Sequence, residues 1–253
     1  MALYRDEAVV LRTYKLAEAD RIVVLFSRGR GKVRAVAKGV RRTKSKFGSR
    51  LEPGSIVQLQ LYEGRNLDII TQAERVVAFT NLRSDLDSYG RAALLLEIID
   101  SSMVEGESNP AAYKMLTGAL TELERAGNPL VVPTFVAKFL VLEGVQPLVD
   151  ACVRCGSTDN LVAIQIHEGG VLCRNCPSGE PISDSARMAL KNVFDGRIRH
   201  VLDTTPVEIA QELETIAARL IEQHIERRLR SSAVLYEQLQ EGPGERTVER
   251  SPE

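Results

Sequence analysis

The chain lacks the motifs of a reaction site. No Gly-x-x-x-x-Gly-Lys-[Ser/Thr] phosphate loop occurs, and Gly29 and Gly31 are followed by Arg34 where a dinucleotide fingerprint needs its third glycine. There is no His-Glu-x-x-His and no Gly-x-Ser-x-Gly, and the zinc-deaminase signature, a His-x-Glu followed by Pro-Cys-x-x-Cys, is absent. Histidine is scarce. His167, His200 and His224 stand in dissimilar settings, which argues against a triad; the first two read as surface side chains and the third as a boundary one. These absences make a non-catalytic binding protein the leading class, not an enzyme. No apolar run approaches the ~18 residues of a membrane helix. The opening MALYRDEAVV has neither the basic start nor the apolar stretch of a signal peptide. The expectation is a cytoplasmic protein, in which four cysteines serve as metal ligands rather than disulfides.

A further absence is local. From Arg21 to Leu51 there is no acid, while eleven basic residues occur: Arg21, Arg28, Arg30, Lys32, Arg34, Lys38, Arg41, Arg42, Lys44, Lys46 and Arg50. The whole chain has a formal net charge of −1. Residues 1–80 hold 16 basic and 8 acidic side chains, net +8, so the remainder carries −9. A basic third joined to an acidic remainder suggests two domains with different partners. The run itself reads either as a solvated basic loop or as a track for a polyanion, which would bind with release of counterions.

Residues 3–80 have the pattern of five short strands. Ala8–Leu11 runs on towards Tyr14, and Ile22–Phe26 is β-branched and apolar. Arg28–Gly31 is a turn. Val33, Ala35 and Ala37 then alternate with Arg34, Val36 and Lys38, giving one apolar and one mainly basic face. Gly39–Arg50 is an exposed basic loop, Ile56–Leu61 a fourth strand and Leu67–Ala73 a fifth. Five strands with glycine turns in this length predict an OB-fold barrel, which binds single strands by a charged groove and base-stacking rings. The available rings are Tyr4, Tyr14, Phe26, Phe47 and Tyr62; Phe26 and Tyr62 are expected in the core, and Phe47, between Lys46 and Gly48, is the stacking candidate.

From Asn81 the period changes to that of helices. Leu82, Leu86, Tyr89 and Ala93 onwards mark one helix through Ile99. Asn109-Pro110 starts a second, closed by Gly127, and Pro133–Glu143 is a third, with Gly144 as its stop. Ser183–Phe194 is another. Thr205-Pro206-Val207-Glu208 reads as a capping box that launches a long amphipathic helix to Leu229, with Arg227, Arg228 and Arg230 in its last turn. Residues 241–253 carry no apolar face and are expected to be disordered.

Between these helices lie two Cys-x-x-Cys pairs, Cys152/Cys155 and Cys173/Cys176, flanking a hairpin-like segment. Each pair presents two thiolates from one tight turn, and four thiolates close a tetrahedral shell, so the expected ion is a structural Zn²⁺ rather than a catalytic one. A dithiol redox site would need a βαβ setting, which is not visible.

The segment DEAVVLRTYKLAEADRIVVLFSRGRGKVRAVAKGVRRTKSKFGSRLEPG, with its Glu18-Ala19-Asp20 turn and the Gly31 to Gly39 "G-x-x-x-x-x-A-K-G" stretch, resembles the signature of the bacterial RecO family of DNA repair proteins. The Cys quartet between helices is similar too. The resemblance covers the chain to about Leu239 and is weakest in the helices.

It implies an α+β multidomain protein: an N-terminal OB-fold (1–80), then an all-α domain (81–240) with an inserted four-cysteine zinc-ribbon-like motif (148–181), acting at the nucleoid. It implies binding of single- and double-stranded DNA, annealing of complementary strands, and help to RecA in displacing single-strand-binding protein. The implied partners are RecR and single-strand-binding protein, whose acidic-hydrophobic tail would dock near Phe135, Phe139 and Leu142. The DNA-contact candidates are Arg28, Arg30, Lys32, Arg34, Lys38, Arg41, Arg42, Lys44, Lys46, Phe47 and Arg50. An RNA-binding protein or a protein scaffold is the alternative that the residues leave open.

Overall fold

The computed structural model describes residues 2–42, 45, 47–77, 79–176 and 178–231. Five strands come first: β1 (Leu3–Lys15), β2 (Arg21–Ser27), β3 (Gly31–Ala37), β4 (Ile56–Tyr62) and β5 (Asp68–Val77), with a 3-10 turn at Gly48–Leu51. The fifth strand runs four residues beyond the apolar pattern, because Glu74 and Arg75 continue the ladder to β4. The ladder order is β1-β2-β3-β5-β4, returning to β1. The circuit is narrowest at the parallel β3–β5 seam, where only Ala35/Asp68 and Val36/Ile69 pair.

The apolar runs of β1 and β2 have a physical reason. Ala8, Val10, Val23 and Leu25 face the barrel interior, with Ala35, Ala37, Leu59, Leu61 and Ile70. Their neighbours Val9, Leu11, Val24 and Phe26 face the other way, into the core of the helices. Both faces are buried, so the sequence shows continuous rather than alternating hydrophobicity.

Among the described residues the named helices are α1 (Asn81–Ser84), α2 (Leu86–Ser102), α3 (Pro110–Ala126), α4 (Val131–Leu142), α5 (Asp184–Phe194), α6 (Ile198–Thr204) and α7 (Ala210–His224), and Arg230 and Ser231 are also helical. The expected single helix from Asn81 is broken at Asp85. That residue is extended (φ −109°, ψ 119°), and its carboxylate caps α2 by accepting the Ser88 N–H. Asn109 caps α3 through the Ala112 N–H, and Gly127 closes it at φ 57°. The Thr205 capping box does not form: neither the 3-10 turn Val207–Ile209 nor α7 has a side-chain cap at its start. Helix α7 stops at His224 rather than Leu229, with Glu226 at φ 51°. Arg227, Arg228 and Arg230 therefore lie beyond the helix, where the Arg230 and Ser231 N–H groups bond the Glu97 carboxylate. His224 sits at the boundary as expected, edge-on to Phe139.

Barrel and helices meet along α2 and the segment after it. Lys32 Nζ donates to the Asp100 carbonyl at 2.7 Å, and Arg12 Nε lies 2.6 Å from the Asp100 carboxylate. Gly106 N–H donates to the Lys32 carbonyl. Gly31, at φ 67°, sits so close to the Glu107 carbonyl that a Cβ would lie 1.8 Å from its oxygen. Only glycine tolerates both constraints. Among the described residues no helix is long and apolar enough to cross a membrane. The expected disordered tail, 241–253, lies outside the described residues.

Candidate nucleic-acid interface and metal centre

The basic run folds back on itself. Arg28 and Arg30 occupy the β2–β3 turn at one end of β3, and Lys38, Arg41 and Arg42 follow its other end. Seven residues of strand separate the two groups by about 20 Å. At the first end Arg30 lies over the Tyr4 ring, 3.9 Å from its centroid, and 3.4 Å from Glu63. Arg28 is exposed, and its carbonyl accepts the Ser108 hydroxyl. Lys32, predicted as a DNA contact, is instead committed to Asp100, with its side chain only 13% exposed. Arg34 is exposed and reaches Glu105 at 3.8 Å.

At the second end the β1–β2 loop organises the cations. Arg41 donates through its guanidinium to the Glu18 carbonyl at 3.0 Å and through its backbone to the Ala19 carbonyl. Asp20 accepts the Gly39 N–H at 2.7 Å. The Glu18-Ala19-Asp20 turn thus fixes the start of the basic loop, leaving Lys38, Arg41 and Arg42 exposed. Lys44 and Lys46 lie outside the described residues.

Two ring assignments are corrected. Phe47 is 1% exposed and packs inside the barrel core with Val57 and Leu59, so it has no face to offer a base. Apolar content inside a basic loop reflects a plug, not a platform. Tyr62, expected in the core, is 44% exposed, because the register places it opposite Leu3 on the outer face. Phe26 is fully buried against Tyr113 as expected.

Sequence reasoning missed Arg75 and Arg83. Arg75 donates to the Ser49 carbonyl and hydroxyl, beside Arg50, and Arg83 bonds Glu52 and the Ser55 hydroxyl. Both guanidiniums line one cavity with Ser49, Ser55 and Thr80. Their positions 25 and 33 residues beyond Arg50 conceal this in the sequence; the β5–Gly48 turn contact brings them together.

The phenylalanines of α4 divide. Phe139 is fully buried, so it is no docking residue. Phe135 is 3% exposed but lines a surface groove of about 510 Å³ with Met115, Val131, Ile198 and Leu202, and with Lys114, Lys138 and Arg199 at its lining. Leu142 is 40% exposed and does not line that groove.

The insertion is built on β6 (Leu161–Gln165), β7 (Gly170–Cys173) and the short β8 (Glu180–Pro181), in the order β7-β6-β8. The expected hairpin is present. Its open end, where Cys173 pairs with Leu161, meets the turn before β6 and brings the Sγ atoms of Cys152, Cys155, Cys173 and Cys176 within 4.8 Å of one another, and none is disulfide-bonded. The Cys155 and Cys173 sulfurs are 3.6 Å apart. A tetrahedron with 2.3 Å metal–sulfur bonds has edges of about 3.8 Å, so the four donors fit one tetrahedral ion.

The electrostatics agree. Backbone N–H groups, Cys173 first, hold the Cys152 thiol down at about 6, while hydrogen bonding to Cys155 and then burial push Cys176 up. One thiolate is stabilised and further ones are opposed, a balance that a divalent cation reverses. All four donors are protein side chains, which closes the shell. His167 and His200 are exposed and outside the cluster.

Comparison with known proteins bears on most of the chain. The family model for the Recombination protein O N-terminal region matches residues 1–79, and that for its C-terminal region matches residues 83–233. The chain is 44% identical over 223 residues to the DNA repair protein RecO of Bifidobacterium longum, covering 84% of this chain and 91% of that protein. It is 42% identical to the RecO of a Nocardioides species (91% of this chain, 98% of the relative) and 38% identical to that of Cutibacterium acnes (93% and 99%). With an OB-like barrel, a helical region and a clustered Cys quartet arranged in that order, the chain belongs to the RecO family of DNA repair proteins, whose role lies in recombinational repair.

Proposed function

We propose that the protein is a recombination mediator that binds single- and double-stranded DNA, anneals complementary strands and assists RecA loading onto DNA coated by single-strand-binding protein. The observation that carries this reading is the exposed cationic end of the barrel, Lys38, Arg41 and Arg42, held by the β1–β2 loop. Loops of this kind flank the nucleic-acid face of OB-folds. Annealing forms no covalent bond. It needs two polyanions held close while bases search for register, and contacts to phosphate leave base edges free to pair. The proposed role makes and breaks no covalent bond, so it is that of a binding protein rather than an enzyme.

The Cys quartet would hold a structural Zn²⁺. Its apparent binding free energy, on the order of 10–16 kcal/mol, would stabilise an insertion with little core of its own. RecR and single-strand-binding protein are the proposed partners. The Phe135 groove, apolar and lined by Lys114, Lys138 and Arg199 with one acid, Glu122, that pairs with Arg199, suits the acidic-hydrophobic tail of the latter. Competition between DNA and RNA oligonucleotides of one sequence tests the assignment: DNA should compete at least as well as RNA, whereas a strong RNA preference would favour an RNA-binding role.

A further inference from the structure

The last described residue, Ser231, lies in a groove. With Arg230 it lines a space of about 280 Å³ at the seam between barrel and helices. Leu11, Pro53 and Gly54 of the barrel form one wall, and Leu82, Ala93 and Leu96 form the other. A cavity of about 150 Å³ takes a benzene ring, so this groove has room for about two apolar side chains.

A helix begins at this point. Arg230 and Ser231 are helical, and their N–H groups donate to the two oxygens of the Glu97 carboxylate at 3.0 and 2.8 Å. An acceptor of negative charge in this place satisfies the free donors of a first turn. Leu229, just before, is 2% exposed. From Leu229 onwards the sequence places Ala233, Leu235, Tyr236 and Leu239 on one helical face, at spacings of three and four. Arg230, Glu237, Gln238 and Glu241 fall on the opposite face, and Val234 alone departs from the pattern. The pattern ends at Glu241-Gly242-Pro243-Gly244, a helix-breaking sequence.

Length decides where such a helix can lie. Residues 232–240 would span about 14 Å as a helix. Upstream of Glu97, α2 presents Ala93, Gly90 and Leu86 on one stripe, over about 16 Å. None of the three is buried, and Leu86 is 55% exposed. Downstream, α2 ends at Ser102, only about 8 Å away. We infer that residues 232–240 continue from Ser231 as a helix antiparallel to α2, with Leu235, Tyr236 and Leu239 closing the groove. The segment is a strap: it touches α2 on one side and the Leu11 and Pro53 wall of the barrel on the other. It holds the barrel, and with it the cationic loops, in a fixed orientation on the helices. The family match ends at residue 233, so the strap lies beyond the region that the family model describes. It stands independently of the DNA-binding reading.

Amide hydrogen exchange, thermal melting and sedimentation of the full chain test the strap. In the wild type, amides of residues 234–239 should exchange at least about tenfold more slowly than in an unfolded peptide, and the protein should sediment as a monomer. Tyr236→Asp and Leu239→Asp should each speed exchange at residues 10–12 and 89–97 and lower the melting temperature by about 3–12 °C. Tyr236→Phe and the outward Gln238→Asp should leave both readouts as in the wild type. Unprotected amides at 234–239 in the wild type would overturn the inference, even if the aspartate variants failed to fold. So would unchanged exchange and melting in Tyr236→Asp, or an equal loss in Gln238→Asp. Protection that disappears on dilution of a dimer would also overturn it, by assigning the groove to the segment of a second copy.

Discussion

Arg91 and Glu214 form a buried ion pair between α2 and α7, with Nε 2.9 Å from Oε1 and side chains 8% and 1% exposed. Burial raises the Glu214 pKa, opposed by the Arg91 charge. Truncating Arg91 would leave the buried carboxylate without this countercharge. Arg91→Ala should cost about 3–5 kcal/mol in chemical denaturation, while Arg91→Ala combined with Glu214→Leu should recover part of it. Neither residue stands out in the sequence, where a charge in a helical segment reads as a solvated face. Phe47 failed for the reverse reason. A ring amid basic residues suggests a binding surface, but whether it points in or out is decided by the chain beyond it, here the Gly48–Leu51 turn that plugs the barrel. The cysteines were legible because their pairing needs only local turns and one hairpin.

At the scale of elements, caps and turns set the boundaries. Asp85 breaks the helix that apolar periodicity alone would have run through it. Its pKa is lowered, chiefly by hydrogen bonds from Ser88. A carboxylate with a depressed folded-state pKa stabilises above its unfolded value and loses that contribution as pH falls through the folded one. Asp85→Ala should therefore cost about 1 kcal/mol at pH 7, and the gap from wild type should narrow in thermal melts below about pH 4. The insertion offers a second check. Metal analysis should find about one zinc per chain, and Cys173→Ala should lower stability far more than DNA affinity. A metal-free protein of undiminished stability would refute the structural role. Helix caps such as Asn109-Pro110 were legible from local chemistry. The end of α7 was not, because the Glu97 carboxylate that captures Arg230 and Ser231 lies on a distant helix.

At the scale of the molecule, barrel and helices share one core through the outer faces of β1 and β2, and Gly31, Lys32 and Asp100 close the seam. Gly31→Ala forces a left-handed alanine against the Glu107 carbonyl. It should destabilise by more than about 1–2 kcal/mol and increase amide exchange across residues 105–108. The five strands, most of the helices and the quartet could be read in advance; the folding back of the basic run could not, since it depends on β3 separating its halves. The central claim is that the loop-side cations of the barrel carry single-stranded DNA. A salt titration of single-strand binding by wild type and Arg41→Glu/Arg42→Glu tests it most directly. Wild-type affinity should fall log–log with salt at about −0.7 per phosphate neutralised, and the double reversal should bind more weakly with a slope shallower by about 1.4. Equal affinity and equal slope in the two proteins would contradict the account.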